Sequence, residues 1–183
     1  MEDLSLHILD IAENSIAAGA SKIRIKIIED IPKNILLIEI ADNGKGMDED
    51  AIKMAQDPFF TTKSNKHVGL GIPFLAQSAK EADGKISVTS KKGEGTTIAA
   101  AFKYNHIDRK PIGNIEKTLT VLIAGNPEID FVYEHKRNSH TYYLDTTEIK
   151  KKLKGIPTNH PEVIKIIKDS IRQWQNDTKD VVK

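Results

Sequence analysis

"ILLIEIADNGKGM" spans residues 35–47: an apolar, strand-forming run that ends in Asp-Asn-Gly, with a second glycine two residues on. Asn-Gly after a hydrophobic strand commonly marks a tight turn, because both residues tolerate positive φ. The stretch has a second use. Asp42 can accept a hydrogen bond from a donor brought to the strand end, and Gly44 and Gly46 carry no side chain to hold a flat ligand away. Alone, the stretch leaves both uses open.

Working outward, residues 3–18 have helical spacing: Leu4, Ile8 and Ile11 form a stripe that Leu9 and Ile16 widen, with Asp3 placed to cap it. "KIRIKII" at 22–28 alternates with period two and reads as a strand, as does 35–41. A short helix is predicted from Asp48 to Ala55, then a polar loop, "DPFFTTKSNKH", then a helix from Ile72 to Ala82. "KISVTSKKGEGTTIAAAF" reads as two strands around a Lys/Gly turn. The order predicts an α+β fold, a two-layer α/β sandwich with helices over one face of a mixed sheet, formed by residues 1–104.

From Asn105 the character changes. "NHIDRKPIG" reads as a linker, and residues 105–183 are expected to form a smaller α+β extension. It comprises a helix at 114–125, a hairpin turning near Asn138, a helix at 146–154, and an amphipathic helix striped by Val163, Ile167, Ile171 and Trp174. The end, "NDTKDVVK", is expected to fray. The extension either packs on the sheet and completes the core or serves as a docking element.

Composition narrows the classes. The chain has 183 residues, 39% hydrophobic and 29% charged, enough for one domain with a modest appendage. Lys+Arg 27 against Asp+Glu 26 leaves a net charge of +1, so no basic field invites nucleic acid or an anionic membrane. The absence of cysteine excludes disulfides, thiolate metal sites and cysteine nucleophiles. No apolar run approaches the ~20 residues of a membrane span, and "MEDLSLH" is not a signal peptide, so a cytoplasmic protein is expected. The six histidines show no metal-ligand spacing.

Two further segments bear on the glycine-rich stretch. In "KHVGLGIPF", Gly69 and Gly71 stand at a helix start, where free N–H groups and the dipole favour an anion. This is no dinucleotide fingerprint, because Phe74 holds the third glycine position, and no P-loop is present. On the first helix, His7, Asp10 and Asn14 share one face. Asn14 offers an oxygen suited to Mg²⁺, and Asp10 a carboxylate to orient or deprotonate a water or to hold the metal's hydration shell.

Taken in order, the Asn-bearing helix, "DNGKGM", "PFFTTK", "GLGI" and "GEGTT" resemble the Bergerat-fold ATP-binding superfamily of gyrase B subunits, heat-shock chaperone ATPases, histidine kinases and mismatch-repair ATPases. "ENSIAAGASKIRI" resembles the mismatch-repair members. "PFFTTK" and "HVGLGIPFLAQSAKEADGKISVTSKKGEGTTI" are more similar to the histidine-kinase ATP-binding domain. The resemblance covers residues 4–103. It implies that Asn14 coordinates Mg²⁺, that Asp42 binds the adenine amino group with Thr96 helping through a water, and that Gly44 and Gly46 line the adenine pocket. It further implies phosphate contacts from Gly69, Leu70 and Gly71. Lys63 would meet the γ-phosphate from a mobile lid, to which Lys66 and His67 also belong. Hydrolysing members carry a glutamate where Asp10 stands, and the shorter arm puts fast hydrolysis in doubt.

With no room ahead of the metal helix for a phosphoacceptor hairpin, and His7 inside that helix, the first expectation is a stand-alone signalling kinase. It would phosphorylate a separate protein, as anti-sigma-factor kinases do. The second is an ATP-controlled interaction switch, and the third a mismatch-repair-like DNA-dependent ATPase. ATP and Mg²⁺ are the expected ligands; the protein partner is unnamed, and a homodimer is left open.

Overall fold

The computed structural model describes residues 3–56 and 71–179. Helix α1 (Leu4–Ala17) starts at Asp3, whose carboxylate accepts the Leu6 N–H at 3.1 Å. Strands β1 (Lys22–Asp30) and β2 (Ile35–Asp42) follow, then helices α2 (Glu49–Gln56) and α3 (Gly71–Glu81) and strands β3 (Lys85–Lys91) and β4 (Gly95–Lys103). The rest comprises α4 (Ile115–Gly125), β5 (Asp130–Arg137), β6 (His140–Asp145), α5 (Thr146–Lys152) and α6 (Pro161–Lys179).

The six strands form one sheet in the order β3-β4-β2-β1-β5-β6, antiparallel throughout except where β5 lies parallel to β1. Alternation decides which face is buried. Ile23, Ile25 and Ile27 of β1, Leu36, Ile38 and Ile40 of β2, and Ile98, Ala100 and Phe102 of β4 all point into the core. Leu4, Ile8 and Ile11 of α1 and Leu75 and Ala79 of α3 cover them, with α4 packed on α1 and α6 on α4. The opposite face carries residues such as Lys26 and Glu134, an ion pair at 3.5 Å. This is the two-layer α+β arrangement that the order of elements predicts.

Among the boundaries that differ from the expectation, two have a clear physical reason. β1 runs past Ile28 because Glu29, at the next core-facing position, is 3% exposed and paired rather than solvated. The C-terminal helix reaches Lys179 where fraying is expected from Asn176. Thr178 is buried, donates to the Trp174 carbonyl at 2.9 Å and accepts from Arg137 Nη1 at 3.0 Å. The residues after Asn105 are therefore joined to the sheet by backbone pairing along β1 and by side-chain bonds from α6.

Candidate functional site

β2 ends at Asp42, which lies opposite Ile23 of β1 and Thr96 of β4. The chain does not turn back into a hairpin there. Asn43 Oδ1 accepts the N–H groups of Ser21 at 3.0 Å and Lys22 at 2.9 Å, and Asn43 Nδ2 donates to Ser21 Oγ at 2.9 Å. Lys45 N–H donates to the Ala18 carbonyl at 3.0 Å, and the Lys45 carbonyl accepts from Gly93 N–H at 2.7 Å. The loop is thus strapped between the end of α1 and the β3–β4 turn. Gly46 is required there: its φ is +64°, and a Cβ would lie 2.0 Å from the Lys91 carbonyl oxygen. It also lines a cleft, whereas Gly44 lies behind the loop against Ala18.

The cleft holds about 100 Å³ of space open to water. Its walls are apolar, from Ile11, Met47, Ala55, Ile72 and Ile98, and its polar groups come from Asn14, Asp42, Lys45 and Thr96. Asp42 is fixed from two sides: Oδ2 accepts from Ser15 Oγ at 2.6 Å and Oδ1 from Gly44 N–H at 2.8 Å. Each oxygen keeps a lone pair. Thr96 Oγ1 is 2.9 Å from Ser90 Oγ, which also lies 2.8 Å from the Gly95 carbonyl and accepts Met47 N–H at 2.8 Å. The single Ser90 proton goes to that carbonyl, so Thr96 donates to Ser90 and turns lone pairs to the cleft. This end of the cleft is therefore built of acceptors.

At the other end α3 begins. Gly71 comes so close to α1 that a Cβ there would lie 2.2 Å from Asp10 Oδ2. Burial raises the Asp10 pKa above its ordinary carboxylate value. Asn14, one turn along α1, lines the cleft, and its side-chain amide makes no hydrogen bond among the described residues. His7 is fully buried below, its pKa pushed down to about 4 by desolvation and the Lys110 charge. The described residues hold no group of three His, Cys, Asp or Glu able to bind a metal by themselves. A cation here would draw its other ligands from water and from a bound anion.

The structure thus brings Asn14, Asp42, Gly46 and Thr96 around one cleft, while Asp10 and Gly71 lie against each other next to its lining residues Ile11 and Ile72. Lys63, Lys66, His67, Gly69 and Leu70 lie outside the described residues. Sequence reasoning missed Ser15, Ser90 and Lys45. A signal existed for Ser15, a polar residue in phase with the buried Ile8, Ile11 and Ala12 of α1.

A two-layer sandwich with such a cleft between its helices and the strand ends is the architecture of an ATPase class. The family model described as "Histidine kinase-, DNA gyrase B-, and HSP90-like ATPase" matches residues 2–106, and the chain belongs to that family. Sporulation kinase C of Bacillus subtilis (strain 168) is 37% identical over 62 residues, which are 34% of this chain and 14% of that kinase. Sensor kinase CckA of Brucella abortus (strain 2308) is 35% identical over 107 residues, 55% of this chain and 11% of that protein. The chain therefore spans a small fraction of these curated relatives. Among solved structures, the Aquifex aeolicus MutL ATPase domain complexed with ADP superposes with a TM-score of 0.51 at 14% identity. It covers 84% of this chain and 68% of that one. The N-terminal domain of a DNA repair protein gives 0.54 at 19% identity, covering 79% and 53%. Both likenesses concern the fold.

Proposed function

We propose that the cleft binds ATP with Mg²⁺ and that the chain is a signalling kinase or anti-sigma-factor-like regulator acting on a separate protein. The acceptor pair at the cleft end carries this reading. Asp42 and Thr96 suit the exocyclic amino group of adenine, whereas guanine would set a carbonyl against two acceptors. The apolar walls suit the faces of a base, and Gly71, opening α3, suits phosphate. Asn14 offers the hard oxygen that Mg²⁺ prefers. When bound, Mg²⁺ would supply charge neutralisation on the phosphates. Replacing Asn14 by Ala is expected to make nucleotide affinity the same with Mg²⁺ and with a chelator, as read by calorimetric titration. A persisting Mg²⁺ dependence would clear Asn14 of that role.

Transfer would form a bond from the γ-phosphorus to an acceptor oxygen or nitrogen on the partner and break its bond to the β–γ bridging oxygen, releasing ADP. We assign Asp10 to take the acceptor's proton, a role that its burial-raised pKa supports. The kinases among the relatives support a protein as acceptor. Asp10 also favours a second reading, in which ATP is held but not spent. Its arm is one methylene shorter than a glutamate's and its carboxylate is pressed against Gly71. Incubation with γ-labelled ATP, Mg²⁺ and cell extract separates the two. Label on a specific protein is expected; stable binding with neither transfer nor turnover would establish the switch instead.

A further inference from the structure

His7 faces α3 from α1 but takes no part in the cleft. It is 0% exposed, its Nε2 lies 3.2 Å from Ser78 Oγ, and its Nδ1 has no partner among the described residues. A buried polar atom without a partner costs stability, and an apolar pair at positions 7 and 78 would fill this helix–helix seam without that cost. Packing alone does not account for a histidine here. Its address does. The α1–α3 seam has Asp10 against Gly71 at one end, while His7 reaches Ser78, two turns farther along α3. Apolar contacts tolerate a small slide of one helix along another, whereas a hydrogen bond falls off steeply with distance and angle.

We propose that His7 is a positioning residue of the cleft: its bond to Ser78 fixes the slide of α3 along α1, and with it the separation of Gly71 from Asp10 and Asn14. The proposal rests on the ATP reading of the cleft. Its effect falls on the phosphate end, because the acceptors Asp42 and Thr96 stand on β2 and β4 and are held by Ser15, Gly44 and Ser90. ATP feels a misplaced α3; AMP, which lacks the β- and γ-phosphates, feels it little.

The test titrates ATP and AMP, each with Mg²⁺, into the full chain and into His7→Leu, His7→Gln and Ser78→Ala, and records each melting temperature. The glutamine side-chain nitrogen lies close to where Nε2 of histidine lies, so His7→Gln keeps the bond to Ser78. The Leu and Ala variants are expected to bind AMP like the original chain and ATP about tenfold more weakly, the scale of one buried hydrogen bond. His7→Gln restores ATP binding. An ATP-to-AMP affinity ratio unchanged in both Leu and Ala variants overturns the proposal, whatever the melting temperatures do. Failure of the unaltered chain to bind either nucleotide overturns the ATP reading itself, and that result is read before any variant is made.

Discussion

Asp42→Asn is expected to lower nucleotide affinity by roughly a hundredfold or more while leaving the melting temperature nearly unchanged. Both halves of that expectation come from the hydrogen bonds around the carboxylate. Gly44 N–H has no freedom to reverse, so an amide at 42 must set its oxygen toward Gly44 and its nitrogen toward Ser15. Ser15 tolerates this because its hydroxyl has an alternative acceptor, the Ile11 carbonyl at 3.2 Å, and can then accept from the new amide. The fold therefore survives. The ligand does not share this freedom: where it met a charged acceptor it now meets an N–H₂ group beside its own amino group. Losing a charge-assisted hydrogen bond and gaining a donor–donor contact together cost about 3 kcal/mol, or two decades of affinity. Calorimetric titration with ATP, checked by thermal melts, measures both. An unaltered affinity in a folded variant would remove Asp42 from the site.

Ser15 and Asp42 also illustrate what a single sequence exposes. The alternation of β1 and β2, the stripe of α6 and the turn at Asn138, whose φ is +52°, are local properties and were legible. The cleft was legible only through several segments in order, since "DNGKGM" by itself allows a hairpin that the straps from Asn43 and Lys45 replace. Partners set far apart along the chain were not legible. Nothing local says that β5 will lie parallel to β1, because the apolar faces of several strands would accept it equally well. Nor does anything local say that Ser90 will join the loop after β2 to Thr96. Glu29 is the instructive residue: it continues the 23, 25, 27 phase of buried positions, yet a glutamate there reads as the end of a strand.

That glutamate carries the second large effect. Glu29 Oε1 accepts from His135 Nε2 at 2.8 Å and from Arg137 Nε at 2.8 Å, with Arg137 Nη2 at 2.7 Å, and Oε2 accepts from Tyr104 OH at 3.2 Å. Tyr133 OH sits 2.7 Å from His135 Nδ1, and Trp174 of α6 lies against the His135 ring. The cluster joins β1 to β5, to the end of β4 and to the last helix. Removing one member of a buried charge pair leaves the other uncompensated, so Glu29→Ala is expected to cost about 3–5 kcal/mol and to lower the melting temperature by roughly 10 °C. The pH dependence identifies the cause. Burial alone would raise the Glu29 pKa, but hydrogen bonds from His135 and Arg137 and the Arg137 charge bring it below its ordinary 4.5. Desolvation lowers His135 below 6.5 despite Glu29, and lowers His7 to about 4. A group with a lowered folded pKa binds its proton more readily when unfolded, so all three stabilise the fold above their unfolded values and lose that contribution as the pH falls. The two histidines begin the loss below about pH 6.5, and Glu29 deepens it below about 4.5. Urea unfolding from pH 8 to pH 3 is expected to show both steps in the unaltered chain. Glu29→Gln should start less stable at pH 7 and lose less than the original chain below about pH 4.5, its deficit narrowing as the carboxylate of the original chain takes up its proton. A deficit that stays constant across that range would mean Glu29 acts by shape and not by charge.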